Sequence, residues 1–197
     1  MILAIESAIA GGSLSLVDGD VEIAGWMGDA AQGVRAESLI TNIETLLNSA
    51  GIDKTGLRTI VVSAGPGSFT GIRIGLATAL GLKGALGVPM ISVSALDAMA
   101  FALGHTGIVA VPMGRGGAAA QMFVNGAADG SPFSVSAANL FEHEPHGRYL
   151  VHEKLAGAAQ SHHSVTSFGS NIALALAMYA GKNELVAHAP IFISKAV

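Results

Sequence analysis

The spacing of apolar and polar residues in the first half of the chain predicts alternating strands and helices. Short runs that are apolar throughout, or apolar at every second position, predict buried and half-buried strands. Five such runs lie at residues 1–6, 13–17, 21–27, 59–63 and 89–93. An Asp18-Gly19 pair joins the second run to the third and is typical of a tight hairpin. The first three strands are therefore expected to be antiparallel.

Segments whose apolar residues have helical spacing lie between the later strands of this half. Leu39, Ile43, Leu46 and Leu47 fall on one face of a helix, and Gly51 marks its end. Two more helices are expected after it, and the three lie at residues 35–50, 70–85 and 94–103. Three strands, helix, strand, helix, strand and helix is the order of a ribonuclease-H-like lobe. An α/β fold with mixed sheets is therefore predicted.

The second half has a weaker pattern. Strands are expected at residues 108–111, 121–124 and 149–152, with a glycine-alanine turn at residues 114–120 and a short helix at residues 172–179. A boundary near residues 105–107 would divide the chain in two. This predicts an N-terminal lobe of residues 1–104 and a smaller, reduced C-terminal α/β lobe of residues 105–197.

Composition narrows the class of protein. Of the 197 residues, 51% are hydrophobic and 12% charged, which excludes an intrinsically disordered chain. The net charge is -4 and no run of Lys and Arg occurs, so a protein that binds nucleic acid on its own is disfavoured. The apolar region 74–93 is interrupted by Lys83 and Pro89, so no membrane contact and a cytoplasmic location are expected.

Residues 65–73 read GPGSFTGIR and lie between a predicted strand and a predicted helix. Free N–H groups at such a junction can hold a phosphate, which makes Gly65, Gly67, Ser68 and Thr70 candidates for nucleotide contact. No lysine completes a Walker loop, and a dinucleotide fingerprint would need glycine at Thr70. A tight turn capped by a hydroxyl, without a ligand, is the favoured alternative.

Histidine pairs raise a metallopeptidase as another alternative. They occur at residues 143–146 and in His162-His163, and neither has the His-Glu-x-x-His spacing of a helical zinc site. His152-Glu153 lacks a second ligand at Ala156. No Gly-x-Ser-x-Gly nucleophile elbow is present either. Capping or solvated histidines are favoured, and no metal and no catalytic residue are predicted.

Residues 62–99 resemble the characteristic segment of the TsaB (YeaZ-type) family, whose members were formerly labelled glycoproteases. The match is nearly residue for residue from Gly65 to Thr78, and the resemblance extends over residues 1 to about 101. It implies an actin-like ATPase fold with two lobes. It also implies a non-catalytic subunit that binds and supports TsaD in threonylcarbamoyl transfer to a tRNA adenosine.

The resemblance further implies TsaD and TsaE as partners, tRNA contact only through the complex, and a homodimer when the chain is alone. Glu6 stands where the family usually carries Asp, and it joins the nucleotide candidates. The chain is expected to have no cofactor of its own, with ATP or ADP bound weakly or within the complex. An independent actin-like ATPase or kinase remains the alternative.

In the family, the first two helices form the surface that meets TsaD or a second copy. Small residues along the second helix would let another helix approach closely. Trp26 and Phe69 are candidate anchors of such an interface, and Arg73 could pair with Glu37 or with a phosphate. The predicted interface residues are Leu39, Ile43, Leu46, Gly71, Gly75, Leu76, Thr78 and Leu82.

Overall fold

The computed structural model describes residues 1–29, 31, 33, 35–144, 146–160, 163–169, 171–183 and 191. Within these residues the chain forms two five-stranded mixed sheets with helices packed on them. The predicted α/β fold with two mixed sheets is confirmed. None of the described helices is long and apolar enough to cross a membrane.

The first sheet has the strand order β3-β2-β1-β4-β5, in which β1, β4 and β5 are parallel and β2 and β3 are antiparallel additions. Its strands are Ile2–Glu6 (β1), Ser13–Asp18 (β2), Val21–Met27 (β3), Thr59–Ser63 (β4) and Met90–Val93 (β5). The helices of this half are Ala36–Ser49 (α1), Phe69–Leu86 (α2) and Ala95–Leu103 (α3). Every element predicted for this half is present.

The second sheet repeats this topology with the order β10-β9-β6-β7-β8. Its strands are Gly107–Met113 (β6), Gly117–Val124 (β7), Ala127–Ser136 (β8), Arg148–His152 (β9) and Ser164–Phe168 (β10). The helices of this half are Glu153–Ala156 (α4) and Ile172–Lys182 (α5). In chain order α4 takes the place of α2, but it has 4 residues where α2 has 18. The second lobe is therefore reduced relative to the first.

In the second half, the turn expected at residues 114–120 was too long and two strands were not predicted. The turn before β7 covers residues 114–116, because Gly117 to Ala120 already pair with β6 and β8. The edge strands β8 and β10 were not predicted. Gly130 and Pro132 lower the strand propensity of β8, and β10 is mostly exposed and therefore lacks a buried apolar pattern.

One of the buried apolar clusters spans both lobes. α5 comes from the second half of the chain but packs on α3 and on strands β1 and β2 of the first sheet. Its Ile172 and Leu176 belong to a buried cluster that also holds Ala4 of β1 and Val109 of β6. The domain boundary near residue 105 stays a prediction, since the apolar core is continuous across it.

Asn171 fixes α5 to the edge of the first sheet. Its side-chain oxygen accepts from the N–H of Leu174 at 3.2 Å, and its amide nitrogen donates to Glu22 Oε1 at 2.9 Å. We expect Asn171→Ala to lower the free energy of unfolding by about 1–2 kcal/mol, as lost helix caps do. Urea denaturation followed by fluorescence and circular dichroism measures this. Fluorescence and circular dichroism should report the same single unfolding transition. Two separate transitions would contradict an apolar core shared by the two lobes.

Candidate functional site

The start of α2 is closed by the protein itself. Ser68 caps the helix, with its hydroxyl oxygen accepting from the N–H of Gly71 at 3.2 Å. The N–H of Ser68 donates to the carbonyl oxygen of Ala8 at 2.8 Å, and the N–H of Ile72 donates to the Ser68 carbonyl. Two of the N–H groups at this helix start, those of Ser68 and Gly71, are therefore already bonded within the chain.

The glycines of the loop and of α2 allow a close approach to the end of β1. A Cβ atom on Gly67 would lie 2.7 Å from the Ala8 carbonyl oxygen, and one on Gly71 would overlap the Ser7 carbonyl. A Cβ atom on Gly75 would overlap the Ser7 hydroxyl, which donates to the Gly71 carbonyl at 2.8 Å. These glycines serve packing between α2 and β1.

Glu6 lies inside this junction. Its side chain is 1% exposed, and Oε1 accepts from the N–H of Ala8 at 2.5 Å and from the N–H of Ile9 at 3.0 Å. Burial raises the pKa of the Glu6 carboxyl to about 8, although these N–H donors act in the opposite direction. The Glu6 carboxyl group therefore stabilises the turn after β1 through these hydrogen bonds.

A cleft of about 420 Å³ lies between the turn after β1, the start of α2 and the end of β6. Of the nucleotide candidates, Ser68 and Thr70 line it, whereas Glu6, Gly65 and Gly67 do not. Lys154 of α4 lines it from the second lobe and was missed from the sequence. Its position just after the carboxyl end of β9 could have indicated it, since ligands of α/β sheets bind at that edge. The described lining residues are Ser7, Ala8, Ala10, Gly11, Gly33, Ser68, Thr70, Gly71, Pro112, Met113, Gly114 and Lys154.

Chemically, this cleft presents hydroxyl groups and one lysine. None of the described residues that line it is acidic, so they supply no carboxylate for the Mg²⁺ ion that accompanies ATP. Met113 occupies the end of β6, the strand that corresponds to β1 in the repeated topology. The nucleotide assignment of Ser68 and Thr70 stays a prediction.

His152 and His143, which were considered for a metal site, have other contacts in the structure. His152 is buried and caps α4, with Nδ1 accepting from the N–H of Lys154 at 3.2 Å, and burial lowers its pKa. His143 lies against Phe133, with 4.5 Å between ring centroids. No three His, Cys, Asp or Glu side chains gather within the described part of the chain. His162 and Pro145 lie outside the described residues.

The structure corrects the interface residues expected from the two helices. Leu39, Ile43 and Leu46 of α1 are buried in the chain's own core. Gly71 and Gly75 face the end of β1. Residues enclosed in this way present little surface to a partner, so the structure does not support an interface role for these five.

The other three expected interface residues are half-buried. Leu76 and Leu82 pack against the core beneath α2, and Thr78 is half-buried beside them. Trp26, the first candidate anchor, also packs against this core cluster. The sequence did not separate the inner side of α2 from its outer side, because small and apolar residues occur on both.

The exposed side of α2 carries a different set of residues. Phe69 is 50% and Leu80 54% exposed, and the Arg73 guanidinium lies 3.8 Å from the centre of the Phe69 ring. Arg73 therefore contacts Phe69, whereas Glu37 and a phosphate had been considered from the sequence. We define the outer face of α2 as the exposed residues Phe69, Arg73, Ala77, Leu80 and Gly84.

Sequence comparisons find one family model and several curated proteins that match part of the chain. Residues 29–125, just under half of the chain, match the family model described as TsaD, tRNA N6-adenosine threonylcarbamoyltransferase. The TsaB protein of Escherichia coli, named as a tRNA threonylcarbamoyladenosine biosynthesis protein, is 38% identical over 64 residues, which is 32% of this chain and 28% of that protein. An uncharacterized protein of Mycobacterium tuberculosis is 42% identical over 64 residues, 32% of this chain and 30% of that protein. The chain thus spans less than a third of these curated relatives.

A solved structure extends the likeness to the whole fold. YeaZ from Pseudomonas aeruginosa superposes with a TM-score of 0.69 at 19% sequence identity, over 98% of this chain and 99% of that one. At this identity the likeness concerns the fold. The chain is therefore similar to the TsaB protein of Escherichia coli over about a third of its length, and it shares the fold of YeaZ from Pseudomonas aeruginosa over nearly the whole of it.

Proposed function

We propose that the chain is a non-catalytic subunit that binds a TsaD-type protein and supports threonylcarbamoyl transfer to a tRNA adenosine. The outer face of α2 is the observation that carries this proposal. Two large apolar side chains are about half exposed there, and exposed apolar patches mark sites of protein association. The relatives in tRNA threonylcarbamoyladenosine biosynthesis name the process, and the matching family model names the class of partner.

The outer face is shaped for contact with another helix. Between Arg73 and Leu80 the exposed helix position is the small Ala77, and no other residue lies within 4 Å of where Cβ atoms of Gly81 and Gly84 would be. A partner helix could therefore approach the α2 backbone closely. Burying the side chains of Phe69 and Leu80 would contribute about 1.5–3 kcal/mol each, reduced by the fraction already buried.

The cleft supports an accessory role over independent catalysis. Its described lining has no carboxylate, and Glu6 is enclosed in the turn after β1. ATP or ADP is therefore proposed only as a weak ligand, of the chain or of the complex. The net charge of -4 favours tRNA contact through the partner. TsaE is proposed as a further component, and a second copy as the occupant of the outer face when the chain is alone.

Titration of the chain into the TsaD-type protein of the same organism tests the proposal. We expect a 1:1 complex with a Kd of about 1 μM or tighter, as buried aromatic and aliphatic anchors can supply. The chain alone should hydrolyse no ATP above a buffer control. The absence of a complex at 100 μM, or steady ATP turnover by the chain alone, would contradict the proposed function.

A further inference from the structure

A fully buried carboxyl group stands at the base of α2, away from the cleft. Glu6 is enclosed between β2, β4 and the turn after β1, and no charged side chain is among the causes of its shifted pKa. Its bonds go to backbone N–H groups of the turn. Unlike a structural ion pair, this group has no countercharge, so its protonation decides whether a net charge is buried.

A short series of contacts connects Glu6 to the first turn of α2. Glu6 holds the N–H groups of Ala8 and Ile9. The carbonyl of Ala8 accepts from Ser68, which caps α2, and the hydroxyl of Ser7 donates to the carbonyl of Gly71. Because Gly67 and Gly71 touch this turn with no space for a Cβ atom, a shift of the turn must move the start of the helix.

We propose that Glu6 is a positioning residue that holds the N-terminal turn of α2, so that ionisation of Glu6 weakens docking of the TsaD-type partner on the outer face. This inference rests on the proposed function. Phe69 and Arg73, which begin the outer face, lie within five residues of the Ser68 cap. A displaced first turn therefore changes the half of the outer face that carries the aromatic anchor.

The elements around Glu6 offer little compensation for a negative charge. The charged residues on β2, α2 and α5 are Asp18, Arg73, Lys83 and Lys182. Arg73 lies over Phe69, and Lys182 pairs with Asp20 at 3.1 Å. An ionised Glu6 must therefore admit water or leave its site, and either change disturbs the turn formed by Ser7 to Ile9.

Stability and docking should respond over different pH ranges. The pKa of Glu6 is raised from 4.5 to about 8 in the folded chain. The stability contributed by the neutral group is therefore complete below pH 4.5 and declines as the pH rises to about 8. Docking concerns only the folded chain, so it should change only as the folded-state pKa is crossed. If Glu6 had a purely structural role, the stability of the chain would change with pH but its affinity for the partner would not.

The experiment compares the wild-type chain with Glu6→Gln, which keeps the acceptor oxygen and stays neutral. Kd for the TsaD-type protein is measured from pH 6.5 to pH 9.5. We expect the wild-type Kd to rise about tenfold around pH 8, which is one pKa unit of differential binding. Glu6→Gln should bind like wild type at pH 6.5 and lose less than about threefold by pH 9.5. Equal pH profiles for the two chains would overturn the inference.

Two controls separate this inference from the proposed function. Leu80→Asp, which leaves the Glu6 junction intact, should abolish docking at every pH. Hydrogen exchange of the Ser68 and Gly71 amides in the chain alone tests the positioning role without the partner. The ratio of wild-type to Glu6→Gln exchange rates should rise about tenfold between pH 7 and pH 9. A constant ratio would overturn the positioning role even where docking occurs, whereas a rising ratio without docking would contradict the proposed function alone.

Discussion

Gly71→Ala is expected to lower the free energy of unfolding by about 3 kcal/mol, a large effect for one added methyl group. The new Cβ atom would overlap the carbonyl oxygen of Ser7 and lie 2.8 Å from the Cα atom of Ala8. Both are backbone atoms, so relief requires α2 to move away from β1. Urea denaturation of the two chains measures the difference.

Gly81→Ala is the matched control in the same helix. Nothing lies within 4 Å of the position of its Cβ atom, and alanine favours a helix interior over glycine by up to about 1 kcal/mol. The control should therefore be unchanged or slightly more stable. A Gly71→Ala chain as stable as wild type would show that the close junction of α2 with β1 is wrong.

Leu80→Asp is expected to weaken binding of the TsaD-type protein at least about 100-fold, or roughly 2.7 kcal/mol. The side chain is 54% exposed on the outer face, so in the complex a carboxylate would be desolvated there without a partner. The stability of the chain alone should change by less than about 0.5 kcal/mol, as is usual for surface substitutions. Binding is measured by isothermal titration calorimetry.

Val124→Asp provides the control for this substitution. Val124 is 46% exposed at the end of β7, in the second lobe. Its replacement by aspartate introduces the same charge as Leu80→Asp. It should bind the partner with wild-type affinity. Equal losses for the two variants would indicate a nonspecific charge effect, and wild-type binding by Leu80→Asp would remove the outer face of α2 as the docking surface.

Local sequence patterns predicted the fold of the first lobe because the apolar residues of each strand and helix there have the spacing typical of that element. Leu39, Ile43 and Leu46 mark the buried face of α1, and the hairpin turn at Asp18-Gly19 sets the first strands. In the second lobe the edge strand β8 escaped prediction. Its pairing with β7 depends on tertiary contacts that outweigh the weak strand propensity around Gly130 and Pro132.

The candidate site was harder to predict than the fold because a glycine can leave space either for a ligand or for the chain's own backbone. Gly67 and Gly71 were compatible with a bound phosphate, and in the structure they accommodate the end of β1 instead. Glu6 was a nucleotide candidate because it stands where the family usually carries Asp, and in the structure its side chain accepts hydrogen bonds from the turn after β1. Lys154 joins the cleft from a distant part of the chain, and only its position just after the carboxyl end of β9 could have indicated it.

Reconstituted tRNA modification tests the central claim most directly. The TsaD-type protein, with the other components of the reaction, is assayed for threonylcarbamoyladenosine on tRNA without the chain, with it, with Leu80→Asp and with Val124→Asp. The wild-type chain and Val124→Asp are predicted to raise the modification at least about tenfold, and Leu80→Asp to leave it near the level without the chain. Equal modification with and without the wild-type chain would contradict the account.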